Sequence, residues 1–152
     1  MMNSELVVNE GTTVSSLSAV EQAVFHFPQG LPGFEELTRF LLCEREGLKP
    51  LTLLVALDVA DVALPLLRSA EFLVDYLPPI APSDLEALDA KSVEELDLFV
   101  VVTFEGSGDS VAVNLMAPIC MNLRSRRGRQ VVLPDGMYPL HYPLVSPLPK
   151  AK

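Results

Sequence analysis

The chain has 152 residues, 49% of them hydrophobic, with 13 prolines, two cysteines and a net charge of −9. That length buries a core without a metal or disulfide, the prolines argue against long helices, and no run reaches the roughly 20 apolar residues of a membrane span. The charge is divided: residues 1–123 hold 5 basic and 19 acidic residues, residues 124–152 hold 6 and 1. The body therefore repels nucleic acid, and one short segment is basic.

Residues 1–20 carry Glu5 and Glu10, no basic leader and many Ser, Thr and Asn residues. They read as a loose tail rather than a secretory signal, which predicts a cytoplasmic protein. A single β domain is expected over 21–149, with a short tail at 150–152. "VFHF" (24–27), "RFLLCE" (39–44) and "LTLLVAL" (51–57) read as strands. Between the first two lies "PQGLPGFEE" (28–36). Pro32 and Gly33 suit the central positions of a type II turn, and Gly30 allows a second bend. The spacing of Phe34, Leu37 and Phe40 suggests a rigid turn that buries Phe34. Gly30, Pro32, Gly33 and Phe34 are accordingly architectural candidates.

"EFLVDYLP" (71–78) reads as extended, and Ser83 with Glu86 forms a capping box for a helix over 83–89. "SVEEL" (92–96) reads as a turn. "DLFVVVTFE" (97–105) is a buried-strand run, "GSGD" (106–109) a hairpin turn, and "SVAVNLMA" (110–117) an alternating strand that Pro118 breaks. "ICMNLRS" (119–125) alternates again, with Ile119, Met121 and Leu123 inward and Asn122 and Arg124 outward. A turn through Gly128 and a strand "QVVLP" (130–134) follow. The sum is an all-β, mainly antiparallel fold, a small β-barrel-like domain with one or two short helices. The proline-rich end, 138–150, is suited to covering a sheet edge.

Chemistry is sparse. His26 and His141 have no partner at metal-ligand spacing. Cys43 and Cys120 sit in apolar runs and read as buried free thiols, the alternative of a single bridge having no supporting spacing pattern. Neither a nucleophile elbow nor a phosphate loop is present. No metal, cofactor or enzymatic activity is expected. The basic run "RSRRGR" (124–129) lacks the interleaved aromatics of an RNA site, which leaves a partner patch or a solvated hairpin tip. Asn114, Asn122, Arg126, Arg127 and Gln130 are the candidate partner contacts. For the asparagines the competing role, bridging a strand break or capping a turn, takes precedence.

Two segments together resemble the FliW family of flagellar assembly factors: "F-x-x-G-L-P-G-F-E" from Phe27 to Glu35, and "V-N-L-x-A-P-I-x-x-N-x-x-x-R-x-G-R-Q-V-V-L" from Val113 to Leu133. The segment 51–69 departs from the pattern, and the chain has no tryptophan. The resemblance implies a non-enzymatic cytoplasmic protein that binds the translational regulator CsrA, relieves its repression of flagellin mRNA, and also binds flagellin. It implies no direct contact with nucleic acid or membrane. A flagellin-dedicated chaperone and a small-molecule-binding barrel are the alternative readings.

Overall fold

The structure, a computed structural model, describes residues 24–73, 75–105 and 110–144. The expected tail at 1–20, the turn at 106–109 and the end at 150–152 lie outside the described residues. Nine strands are described: β1 (Val24–His26), β2 (Arg39–Glu44), β3 (Thr52–Ala56), β4 (Ala63–Arg68), β5 (Asp97–Glu105), β6 (Ser110–Val113), β7 (Ile119–Asn122), β8 (Arg127–Gln130) and β9 (Tyr142–Leu144). Two short helices, α1 (Ser69–Phe72) and α2 (Pro82–Ala87), lie between β4 and β5.

Seven strands close a mixed barrel in the order β4-β3-β2-β1-β8-β7-β5, with β4 pairing β5. Every pairing is antiparallel except β1 with β8. β6 and β9 continue beyond β5; of the proline-rich end, Tyr142–Leu144 covers the edge of β6, and residues 145–150 lie outside the described residues. The barrel interior is filled by Phe25, Phe27, Phe40, Leu54, Leu66, Phe99 and Met121 among others. A second cluster, with Leu67, Tyr76, Val100 and Val113, lies on the outer side of β4 and β5. A third, with Leu88, Leu96, Cys120 and Val131, packs α2 against β7. β5 and β7 are thus apolar on both faces, which explains their continuous hydrophobic runs.

Several expectations are corrected. All four residues of β7 are buried, and Leu123, expected inward, is exposed beyond its end. The segment around 71–78 opens as helix α1, and the strand before it, β4, contains Pro65 paired with Leu53. Helix α2 starts with Pro82 at its first turn and Ala81 as cap, without a side-chain capping bond, so Ser83 does not cap it. Pro fits there because its fixed φ and missing N–H suit a first helical position. The turn before β8 is Leu123–Arg126, with Arg126 at φ +61, and Gly128 is inside the strand. Val131–Pro134 is not a strand, although Val131 and Leu133 donate N–H bonds to Pro118 and Met116 carbonyls.

The break near Pro118 is an insertion. Val113 pairs Val102 and Ile119 pairs Phe99, so six chain steps oppose three. The three extra residues are held by Asn114, whose Oδ1 accepts the N–H groups of Met116 at 2.9 Å and Ala117 at 3.1 Å. Gln130 Nε2 donates to the Ala117 carbonyl at 2.9 Å, and the Tyr76 hydroxyl donates to the Leu115 carbonyl at 2.6 Å. A bulge satisfied in this way bends a strand without orphaning buried polar groups.

Candidate functional site at the barrel seam

The two sequence motifs meet where β1 closes against β8. Leaving β1, the chain reverses at once: Gly30 N–H donates to Phe27 C=O at 2.7 Å, and Phe34 N–H donates to Leu31 C=O at 2.7 Å. Gly33 takes φ +88, as the third residue of a type II turn must. Its N–H is held by the Glu35 carboxylate at 3.1 Å. Gly30 is constrained twice, by φ +65 and by backbone of Phe34 and Glu35 about 2.5–2.6 Å from where a Cβ would stand. The reversal sends Leu31 into the core at 2% exposure and leaves Phe34 38% exposed. The turn is rigid, but it buries Leu31 rather than Phe34.

Across the seam, Gly128 lies under the ring of Phe27, whose carbons would be 2.3–2.8 Å from a Cβ. That close approach, not a turn, is what glycine permits here. Between these segments opens a cleft of about 410 Å³ lined by Pro28, Gly30, Pro32, Glu35, Gly128 and Gln130, with Ala87 of α2 at one wall.

The basic run is largely occupied with holding α2. Arg129 Nε donates to Asp84 Oδ1 at 2.7 Å. Arg127 donates to the Ala87 carbonyl at 3.2 Å, and Arg124 bonds the Asp89 carbonyl and faces its carboxylate at 3.5 Å. Asn122, 1% exposed, donates to the carbonyls of Leu88 at 2.8 Å and Asp89 at 3.2 Å and accepts the N–H of Arg124 at 3.0 Å. Ser125 Oγ adds a bond to Leu88 C=O at 2.9 Å. These donors satisfy carbonyls at the helix end that have no intrahelical partner. Arg126 stacks its guanidinium over Phe25, 5.0 Å from the ring centre, a cation–π contact at the exposed seam.

The sequence candidates therefore divide. Gly30, Pro32 and Gln130 line one cleft, with Phe34 on the turn that bounds it. Asn122 and Arg127 sit under the end of α2, and Asn114 sits at the strand insertion. Arg129 and Pro28 are cleft residues that were not singled out from sequence, although both fall within or beside the two motifs. Burial pushes the Cys120 thiol up to about 12, with Asp84 adding to the rise and Arg129 opposing it. Cys43 is raised as well, mainly by burial. Neither thiol has the lowered pKa of a nucleophile. Among the described residues, no group of three or more His, Cys, Asp or Glu side chains is placed to hold a metal. No described helix is long and apolar enough to cross a membrane.

Fold and seam together define a small closed mixed β-barrel whose two motif-bearing segments meet where β1 closes against β8. A model described as FliW protein matches residues 9–144. The chain is 30% identical over 142 residues to the flagellar assembly factor FliW of Thermotoga maritima, covering 93% of this chain and 95% of the relative. It is 31% identical over 136 residues to that of Carboxydothermus hydrogenoformans, covering 90% and 86%. A crystal structure of the flagellar assembly factor FliW aligns with a TM-score of 0.77 at 28% identity, covering 83% of this chain and 88% of that one. The chain belongs to the FliW family, a family of non-enzymatic flagellar assembly factors.

Proposed function

We propose that this chain is a cytoplasmic, protein-binding antagonist of a CsrA-type translational regulator, that it relieves repression of flagellin mRNA translation, and that it also binds flagellin. Family membership over residues 9–144 carries the reading. The distribution of charge supports it. Arg39, Lys49, Arg68, Arg124 and Arg129 each face a carboxylate of the same chain. Glu36, Glu44, Glu86, Glu94 and Glu105 are exposed. The field offered to a partner is therefore anionic, which attracts a basic RNA-binding protein and repels the phosphates that protein would otherwise hold.

The test is displacement of RNA from the regulator by this protein at about 50 and 500 mM salt, with flagellin as competitor. Displacement at low salt, weakened at high salt and reversed by flagellin, is the expected result. Binding of flagellin without binding of the regulator would leave a flagellin-dedicated chaperone instead.

A further inference from the structure

The seam is a ladder that stops early. β1 and β8 share one registered pair, His26 with Arg127, and His26 N–H donates to Arg126 C=O at 2.8 Å. In a parallel ladder the next rung runs from the N–H two residues on, here residue 28, to the carbonyl of Gly128. Residue 28 is proline and has no N–H to give. The chain then bends away through Gln29 and Gly30.

β8 nevertheless continues. Val131 N–H donates to Pro118 C=O at 2.9 Å on the β7 side. Main-chain groups alternate along a strand, so residues 127, 129 and 131 face β7 while Gly128 and Gln130 face the seam. Both line the cleft. The cleft is thus the space an additional strand residue would fill, with Gly128 C=O and Gln130 N–H on its floor.

We propose that this cleft takes the main chain of an extended segment of the RNA-binding regulator, running parallel to β8. One segment residue donates its N–H to Gly128 C=O and accepts the Gln130 N–H at its own carbonyl, completing the rung that Pro28 interrupts. The inference rests on the regulator-binding reading above. Charge selects the occupant: Glu35 lines the cleft, exposed Glu36 follows it, and the guanidinium of Arg129 is held by Asp84 at 2.7 Å. Of the charged residues that line the cleft, Arg129 is neutralised by Asp84 and the Glu35 carboxylate faces no cation among the described residues, which suits a lysine- or arginine-bearing segment of an RNA-binding protein.

The experiment uses the full chain, with amide hydrogen exchange read by NMR alone, with purified regulator, and with purified flagellin. The Gln130 amide slows by about 10-fold or more with the regulator. In parallel, Gln130→Pro, which removes the N–H on the seam side, binds the regulator about 10-fold more weakly than Gln130→Ala, which keeps it. Equal affinity of two folded variants, or a regulator complex whose Gln130 amide exchanges as in the free protein, overturns the inference and leaves the function standing. Protection by flagellin alone overturns the choice of occupant. Absence of any regulator complex with the unmodified chain overturns both function and inference. Should Gln130→Pro not fold, the exchange measurement on the unmodified protein decides.

Discussion

The wall made by β2, β3, β4 and β5 and the seam between β1 and β8 close the same barrel by different means. The wall is built from antiparallel ladders of five, four and three registered pairs, two of them between strands adjacent in sequence. The seam has one parallel pair between residues about 100 positions apart. What the seam lacks in rungs it replaces with rings: Phe27 lies against Gly128 and meets Phe40 edge-on at 5.0 Å, and Arg126 covers Phe25. Closure by side chains leaves main-chain groups of β8 without a strand beside them. A closed barrel has no edges to offer, so a seam of this kind is where one with a binding role can keep some.

The comparison breaks most sharply at Phe27. Phe27→Ala removes a fully buried ring from the seam and is expected to lower stability by about 3–5 kcal/mol, read by urea unfolding. A loss below about 1 kcal/mol would mean that the ladder, not the ring, holds β1 to β8.

Next is Asn122, which ties β7 to the helix that walls the cleft. Asn122→Ala is expected to lower stability by about 2 kcal/mol, because the carbonyls of Leu88 and Asp89 each lose one of two donors and the Arg124 N–H loses its acceptor at a buried position. Asn122→Asp should be no better, since a carboxylate cannot donate to two carbonyls. Equal melting of Asp and wild-type proteins would remove the helix clamp.

Gly33 sharpens the contrast from the other side. A Cβ there meets nothing within 4 Å, but φ is +88. Gly33→Val is expected to lower stability by about 1–3 kcal/mol through backbone strain alone. Because Phe34 and Glu35 lie on the same turn, regulator affinity should fall as well, in a titration run below the melting transition.

These features were unevenly legible in the sequence. β2 and β5 stand where their long apolar runs predict, with the same bounds. β4 was hidden because Pro65 lies in its ladder, and proline ordinarily argues against a strand. Gly128 read as a turn residue because glycine is the usual bearer of positive φ. Arg126 bears it instead, with its guanidinium over Phe25, while glycine is needed two positions later for a ring. The basic run read as a patch because its acceptors, the carbonyls of residues 87–89, are main-chain atoms about 40 positions away. The seam itself depends on a parallel pairing that no local pattern encodes. Both motifs that form it were visible, but not their meeting.

The smallest effect probes the protected side of β7, opposite the barrel interior. Cys120 is buried under α2 with its thiol pushed up to about 12, and Tyr76 is raised as well, mainly by burial. A group whose pKa is higher folded than unfolded holds its proton more tightly in the native state. Its stabilising contribution is complete below the unfolded value, about 9 for the thiol, and is lost as pH rises toward the folded value. Stability should therefore fall from pH 8 to pH 10 by about 1 kcal/mol from the thiol alone. Urea melts at the two pH values check this, with Cys120→Ala expected to show a shallower decline. An equal decline in both proteins would place the titrating group elsewhere, and the covering of β7 by α2 would then be looser than the seam it supports.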